Sequence, residues 1–423
     1  MPDSVMSSLE KLTAYCSRQD WSGYDPFDGL NSRVFQKIAL LRNRRIFRLL
    51  FLQLNKKCPV NLRPVLGVPK ERNPKGIGLF LHGLLNLYEK TGDPHYLTII
   101  REFAAWLRDH VSPGYRGKCW GYNFDWQSRA FFLPKGTPTV VNTCLIGRAF
   151  LKAHDVLQES EFLEIGRSCC DFILNDLNRL TEKDSVGFSY SPLDRYFVNN
   201  ATALASSLLG LVYSRTKDSR LGEMAKQSAQ FVVSHQNDDG SWDYAEDRAG
   251  RGVGIDNFHT GFILESLKIY SESTGDHDFR NAIGAGLEFY QRSLFLENGA
   301  PKYFPGRPYP LDIHGAAQAI ITLLQLRDYG AEAGLCRKIV RWMIEKMQDK
   351  QGHFYYQKNR FYTNTIPYMR WSQAWAFRAL TEYVPIDIRH CEERSDEAIS
   401  TGQAEIASLP KVARMYRKAF RLG

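Results

Sequence analysis

Two short stretches each place an aspartate just before a histidine, at a point where an apolar, helix-forming run begins. In "GIDNFHTGF" the two residues are Asp256 and His259, and in "RPYPLDIHGAA" they are Asp312 and His314. Histidine suits proton transfer near neutral pH, and a neighbouring carboxylate can orient its ring. The two pairs therefore predict a base for proton abstraction. The alternatives are a capping aspartate with a packed histidine, or a divalent-metal site, although the spacing matches no zinc signature.

Other polar and aromatic residues near the starts of apolar helices could complete such a site. Proton abstraction beside a carboxylate also needs a proton donor and groups that neutralise the carboxylate. The candidate proton donors are Tyr190 and Tyr309. The candidate groups to neutralise the carboxylate are Arg307, Arg370 and Asn200. The aromatics that could stack on sugar faces are Trp126, Trp242 and Trp371. Asp125 and Asp194 are further candidates for substrate binding. Glycoside hydrolysis is the alternative, with two carboxylates drawn from Asp125, Asp194, Asp256 and Asp312.

A repeated loop pattern indicates how these residues are brought together. "QNDDGSWDY" at 236–244 places an aromatic two residues before a tyrosine, and "CWGY", "GFSY" and "GHFYY" repeat that spacing. The loops are separated by one or two lengths of a unit of roughly 60 residues. We expect the first aromatic mainly to pack in the core and the tyrosine to reach a shared cleft. The loop is similar to one in class II terpene cyclases, but their acidic DxDD motif is missing from this sequence.

Two classes of helical segment alternate along the chain. Six segments are apolar nearly all the way round and are separated by amphipathic ones, which predicts six buried inner helices inside an outer ring. We therefore expect an all-α fold, an (α/α)6 toroid, in a single domain spanning residues 1–385. "SRVFQKIALLRNRRIFRLLFLQL" at 32–54 is expected to form the sixth outer helix.

The balance of charged residues indicates which class of binding partner to expect. The chain of 423 residues carries 55 Lys and Arg against 46 Asp and Glu, a net charge of +9. This excess favours an anionic partner such as an acidic sugar polymer, a nucleotide sugar, nucleic acid or a membrane surface. The densest basic cluster, "RNRRIFRLL", contains interleaved apolar residues, which indicate a packing helix more than a nucleic-acid groove. We expect no nucleic-acid partner.

The sequence contains no signal-peptide pattern and no apolar run long enough for a membrane span, so we expect a cytoplasmic protein. Phosphate-loop and dinucleotide motifs are missing, and we expect no cofactor and no metal. The tail is a separate part: "RHCEERSDEAIS" at 389–400 resembles a translated bacterial intergenic repeat element. Residues 386–423 are therefore expected to be poorly ordered and dispensable, the alternative being a basic C-terminal helix.

The helical pattern resembles that of a toroidal carbohydrate-active superfamily of unsaturated glucuronyl hydrolases, N-acylglucosamine 2-epimerases, polysaccharide lyases and glucuronyl C5-epimerases. More narrowly, "GYDPFDGLNS" at 23–32, "NLRPVLGVP" at 61–69 and "DNFHTGF" at 256–262 are similar to the VpsJ-type proteins of cell-surface polysaccharide biosynthesis. The resemblance implies an oligosaccharide, polysaccharide or sugar-precursor ligand, and it transfers no reaction residue by residue. An epimerase or lyase acting on an acidic sugar is the first hypothesis, a glycoside hydrolase the second, and a glycan-binding assembly factor without catalysis the third.

Overall fold

The computed structural model describes residues 2–246 and 252–384, and the predicted tail lies outside them. In this part of the chain a π-helical segment, Met369–Ala374, leads directly into the last of fifteen α-helices. In chain order the helices are α1 (Pro2–Arg18), α2 (Arg33–Lys37), α3 (Ala39–Asn43), α4 (Arg45–Lys57), α5 (Pro74–Thr91), α6 (His95–Asp109), α7 (Val140–Leu157), α8 (Ser160–Asp176), α9 (Asn199–Thr216), α10 (Ser219–Ser234), α11 (Asn257–Thr274), α12 (Arg280–Ser293), α13 (Ile313–Gln325), α14 (Ala333–Met347) and α15 (Trp375–Tyr383). None of them is long and apolar enough to cross a membrane.

Six helices form a closed inner ring, as predicted. Helices α5, α7, α9, α11, α13 and α15 each contact the next, and α15 returns to contact α5. Helices α6, α8, α10, α12 and α14 pack outside the inner helices that precede them. The sequence dictates this layering. Helix α9 buries every residue from Asn199 to Gly210, whereas α10 buries only one stripe, because one of its faces remains in solvent.

The sixth outer position is filled differently from the prediction. Helix α1 takes this place and packs against α15. The expected single helix at 32–54 was wrong: the segment forms α2, α3 and α4, separated by extended residues at Ile38 and Arg44. The reason is that Phe35 and Leu52 bury themselves against Leu30 in a small separate cluster instead of against an inner helix.

All strands are short and lie in the loops that lead from an outer helix to the next inner helix. They are β1 (Trp126–Gln127), β2 (Phe132–Leu133), β3 (Arg179–Glu182), β4 (Ser185–Phe188), β5 (Ala245–Glu246), β6 (Gly252–Val253), β7 (Lys302–Phe304), β8 (Arg307–Asp312), β9 (Gln357–Lys358) and β10 (Thr363–Asn364). The last four form one antiparallel sheet in the order β10-β9-β8-β7, and the others pair as hairpins. Because these loops precede the inner helices, they gather at the N-terminal end of the inner ring.

The first aromatic residue of the repeated loop packs in the core at the end of an outer helix. The indole N–H of Trp242 donates to the carbonyl of Val232 (2.9 Å), and that of Trp120 donates to Leu107 (2.8 Å), so both satisfy the last turn of an outer helix. Trp242 is 1% exposed and therefore cannot stack on a sugar, contrary to our expectation for this residue. Gly240 supplies the turn before it, with φ of 86°.

The packing of Trp242 predicts a sharp difference between two glycines of α12. A Cβ at Gly286 would lie 2.4 Å from Cζ3 of Trp242, whereas a Cβ at Gly284 would meet no atom within 4 Å. Gly286→Ala is therefore expected to be less stable than Gly284→Ala by about 1–3 kcal/mol, because both gain the same helix propensity and only the first overpacks the core. Urea unfolding of both variants measures the difference. Equal stability of the two variants would contradict the close packing of Trp242 against Gly286.

Candidate active site

The N-terminal ends of the inner helices surround one cavity of ≈ 120 Å³. The inner helices and the π-helical segment provide the deeper lining residues: Lys75, Val141, Asn200, Phe258, His259, Phe262, His314, Arg370 and Trp371. The loops and the N-terminal region provide mainly aromatic ones: Phe27, Tyr122, Phe124, Trp126, Tyr190, Tyr244 and Tyr303. The tyrosines at 122, 190 and 244 are the second aromatics of three of the four repeated loops, so these three loops converge on this cavity as expected. Tyr356, the corresponding tyrosine of the fourth loop, is buried and does not line the cavity.

His259 is presented to the cavity by its aspartate. Asp256 caps α11: its Oδ1 accepts the backbone N–H of His259 (3.0 Å), and its Oδ2 lies 2.6 Å from Nδ1 of the same ring. The imidazole packs 4.5 Å from the ring of Tyr244, and its side chain is 23% exposed. Because Nδ1–H donates to the carboxylate, Nε2 is left as the basic nitrogen. Nε2 has no hydrogen-bond partner among the described residues, and the pair is thus arranged as a base with an orienting carboxylate.

The second pair is built differently. Asp312 caps α13, and its Oδ1 accepts the backbone N–H of His314 (2.8 Å) and the indole N–H of Trp371 (3.0 Å). Its Oδ2 accepts from Gln357 (2.5 Å). Burial raises the pKa of Asp312 to about 6, and the carboxyl group is not among the residues that line the cavity. Asp312 therefore holds the helix start and Trp371 in place, and it does not orient the ring of His314.

The ring of His314 is held by aromatic stacking. It lies between the rings of Phe258 (4.6 Å) and Trp375 (4.5 Å), both nearly parallel to it. Neither ring nitrogen forms a hydrogen bond with a described residue. Burial lowers the pKa of His314 well below its usual value, and the charge of Lys75 lowers it further. His314 is consequently a neutral imidazole with unused hydrogen-bonding capacity at the cavity wall.

Two cations reach the cavity. Arg370 forms a two-pronged ion pair with Asp25, with Nε–Oδ2 of 2.6 Å and Nη2–Oδ1 of 2.8 Å. Lys75, in the first turn of α5, forms no ion pair or hydrogen bond within the described residues. Burial lowers the pKa of the Lys75 amine well below its usual value, and the positive charge of Arg370 lowers it further. An anion entering the cavity would therefore meet an amine that lacks a counter-ion.

Tyrosine hydroxyls supply the remaining polar groups. The hydroxyl oxygens of Tyr122 and Tyr190 are 3.2 Å apart, and burial raises the pKa of Tyr190 well above its usual value. Tyr190 is therefore a protonated donor. Asn200 also faces the cavity, and its Oδ1 has no hydrogen-bond partner in the described chain.

No carboxylate lines the cavity in the described part of the chain. Asp125 accepts the backbone N–H of Lys135 (2.7 Å), and Asp194 accepts those of Tyr190 (3.2 Å) and Tyr196 (3.0 Å), so both shape loops. Among the described residues no group of three His, Cys, Asp or Glu side chains is arranged to hold a metal ion.

The structure gathers several predicted residues at the cavity and leaves others away from it. His259, His314, Tyr190, Asn200, Trp126, Arg370 and Trp371 line it. Asp256 and Asp312 stand behind lining residues. Trp242 is in the core, and Arg307 and Tyr309 lie on β8 outside the lining, because that strand pairs with β7 and β9 at the loop surface. Lys75 and Asp25 were not predicted. A lysine in the first turn of an otherwise apolar inner helix was the available signal for Lys75.

Comparison with known proteins supports the fold. The sequence matches no protein-family model and no curated protein. Among solved structures, it is similar to a cellobiose 2-epimerase from Bacillus thermoamylovorans, at 12% identity and a TM-score of 0.61, over 75% of this chain and 90% of the epimerase. A GH76 α-mannanase from Bacteroides thetaiotaomicron gives 14% identity and a TM-score of 0.58, over 75% and 88%. A possible GH105 member from Salmonella enterica serovar Paratyphi A gives 15% and 0.56, over 74% and 83%. At these identities the likeness concerns the fold, and the chain has the (α/α)6 toroid that we predicted from its repeats.

Proposed function

We propose that this protein is an enzyme that binds an acidic sugar in the cavity and uses His259 to remove a proton from the carbon beside the sugar carboxylate. The observation that carries the proposal is the position of the Asp256–His259 pair in a cavity whose lining, among the described residues, includes Lys75 and Arg370 and no carboxylate. A base with a free Nε2 suits proton abstraction, and a buried amine that lacks a counter-ion suits an anionic substrate.

Lys75 is proposed to bind the sugar carboxylate. Its buried amine has a lowered pKa and no counter-ion, so an anion beside it restores the charged form and gains a charge-assisted hydrogen bond. Arg370 adds positive potential, although Asp25 already balances much of its charge. When the proton leaves carbon, its electron pair moves into the carboxylate, and these two cations stabilise the resulting dianion.

Tyr190 is the proposed proton donor. Its phenol is protonated and close to Tyr122. Return of a proton from Tyr190 to the opposite face of the carbon gives the epimer. Loss of the substituent on the adjacent carbon instead gives the unsaturated product of a lyase. Neutral His314 would hydrogen-bond a sugar hydroxyl, and Trp126 and Trp371 would pack against the ring.

A cavity of ≈ 120 Å³ is small beside the roughly 300–1,000 Å³ typical of ligand pockets, which favours one sugar residue over an extended chain. Two similar structures are described by name as acting on sugars, a cellobiose 2-epimerase and a D-mannose isomerase, and this supports a carbohydrate substrate. The likeness of three sequence motifs to VpsJ-type proteins favours a role in cell-surface polysaccharide biosynthesis. A cytoplasmic location stays a prediction.

The alternative of a glycoside hydrolase has less support, because such an enzyme needs two carboxylates at the substrate. Of the four candidates, Asp125 and Asp194 shape loops, Asp312 caps a helix, and Asp256 is engaged with His259.

The test is hydrogen exchange into sugars. The purified protein is incubated in D2O with uronic acids, their glycosides and matching neutral sugars, and the products are followed by NMR and by absorbance of unsaturated uronates. We expect deuterium at the carbon beside the carboxylate, or an unsaturated product, for an acidic sugar only. Lys75→Met is expected to raise KM by about 10–150-fold, the effect of losing one hydrogen bond to a charged group.

Lys350→Met, at an exposed lysine, is the matched control and should leave KM unchanged. Binding of acidic sugars without exchange or cleavage would indicate the non-catalytic glycan-binding alternative. Exchange at neutral sugars that is unaffected by Lys75→Met would contradict the assignment of the carboxylate site.

A further inference from the structure

One segment carries more positive charge than the whole molecule. Residues 33–70, here called the basic segment, contain ten Lys and Arg and no Asp or Glu, while the complete chain has a net charge of +9. The rest of the protein is therefore close to electroneutral. Seven of these cations are exposed and form no ion pair with another described residue: Arg33, Lys37, Arg42, Arg44, Arg45, Lys57 and Lys70. The basic segment is thus a concentrated source of positive potential.

The basic segment also exposes most of the large apolar side chains at the surface. Six of them are more than half exposed: Leu40, Ile46, Leu50, Leu54, Val60 and Val65. Outside the segment, only Leu193 and Phe361 reach that exposure among the large apolar side chains of the described residues. Phe361 lies in the turn between β9 and β10, and its neighbour Tyr362 reaches the backbone carbonyl of Lys57 with its hydroxyl, so Phe361 extends the same surface.

Helix α4 shows that this exposure is one-sided. Ile46, Leu50 and Leu54 are spaced four residues apart and therefore lie on one face, which points to solvent. The opposite face buries Leu52 and Asn55 against the body of the protein. A face with an apolar stripe between lysines and arginines has the chemistry of a helix that lies in a membrane interface.

We infer that the basic segment docks the protein on an anionic lipid surface. Its cations neutralise lipid headgroups, and the stripe of α4 enters the boundary between headgroups and acyl chains. Charge complementarity selects this partner. A second copy of the chain would bring two strongly positive faces together, and a nucleic acid would leave the apolar stripe in water.

Docking on this face would also place the cavity near the lipid. Helix α4 packs against β1, whose Trp126 lines the cavity. The Lys56 ammonium lies 4.3 Å from the ring centroid of Phe27, another lining residue. The inference about docking does not depend on the reaction proposed above.

Flotation of the full-length protein with vesicles tests the inference. One set of vesicles is phosphatidylcholine alone, and the other is phosphatidylcholine and phosphatidylglycerol in equal parts. We expect binding to the second set only, weakened by high salt because exposed charges are screened. The triple variant Arg42→Glu, Arg44→Glu, Arg45→Glu is expected to bind about 100-fold more weakly. The double variant Leu50→Ser, Leu54→Ser is expected to bind at least about 10-fold more weakly.

The matched control reverses three exposed charges on α14: Arg337→Glu, Arg341→Glu, Lys346→Glu. It changes the net charge equally and should retain most of the binding, and circular dichroism verifies that all variants are folded. The inference is overturned if neither vesicle is bound, if both are bound equally, or if the α14 variant loses as much binding as the basic-segment variant. A dimer in light scattering that disappears in the Leu50 and Leu54 variant would also overturn it, in favour of self-association.

Discussion

Replacing His259 by Gln is expected to lower the rate of hydrogen exchange into the sugar by about 10²–10⁴-fold, the usual contribution of a positioned general base. Glutamine retains the size of the side chain and the backbone N–H that Asp256 caps, but it has no basic nitrogen. We therefore expect KM to change little while kcat falls. The measurement is the initial rate of deuterium incorporation at saturating acidic sugar.

Two further variants separate the role of a base from that of a packing residue. His95→Gln, at an exposed histidine, should leave the rate unchanged. Asp256→Asn keeps an oxygen to cap α11 but replaces the acceptor beside Nδ1 by an N–H donor, so the ring proton moves to Nε2 and we expect a rate loss close to that of His259→Gln. If His259→Gln retained full activity on a well-folded protein, the proposed base would be wrong.

Replacing Glu265 by Gln is expected to destabilise the protein by about 3–5 kcal/mol, because it leaves the buried Arg148 without its counter-ion and the buried Arg378 with only Glu382, at 4.0 Å. Glu265 is fully buried on α11. Its Oε1 lies 2.6 Å from Nη2 of Arg378 and 3.3 Å from Nη1 of Arg148, and its Oε2 accepts from Gln318 (2.8 Å). These residues come from four inner helices, so the Glu265 carboxylate links its own helix to three others below the cavity. Urea unfolding of both proteins measures the loss.

The pH dependence of this loss provides a second measurement. Burial alone would raise the pKa of Glu265, but the charges of Arg378 and Arg148 outweigh burial and lower it. A depressed carboxyl pKa stabilises the fold above the pKa of the unfolded chain, and this contribution disappears as pH falls through the folded-state pKa. The difference between the wild type and Glu265→Gln should therefore shrink in acid. Glu288→Gln, at an exposed ion pair with Arg292, is the control and should change stability by less than about 0.5 kcal/mol. Equal losses in the two variants would contradict the buried network.

The double ring was predictable because a helix that is buried on all sides has small and apolar residues on every face, and this pattern is visible in the sequence. In a globular protein, a segment with this pattern, such as α9, is typically buried among other helices. The role of the repeated loops was also predictable, since only a buried aromatic and a half-polar tyrosine recur at that spacing. The failure at 32–54 has a physical cause: amphipathic periodicity indicates a helix, and it does not specify which surface the apolar face meets.

The arrangement of the candidate site was predictable in part. The Asp256 and His259 pair was found from local spacing, because a cap and a residue three positions later face the same end of a helix. The apparent twin at Asp312 and His314 has a spacing of two, which rotates the histidine by about 100° and separates the ring from the carboxylate. That difference was visible in the sequence. Asp25 was not recognisable, since its partner Arg370 lies 345 residues away and only the closed ring brings them together.

The π-helical segment that precedes α15 has a consequence for comparing this chain with its structural neighbours. A π-helical turn contains one more residue than an α-helical turn, and the helix axis continues in the same direction. The residues after such a turn are therefore shifted by one position relative to those of a regular α-helix. Two adjacent residues within that segment, Arg370 and Trp371, both face the cavity. In a relative whose last inner helix is regular from its first turn, the residues beyond that turn would lie one position out of register with those of this chain. An alignment of the two chains would then need a one-residue gap between 369 and 374. At 11–15% identity such a gap is easily misplaced, which would assign the arginine of one protein to the tryptophan of the other.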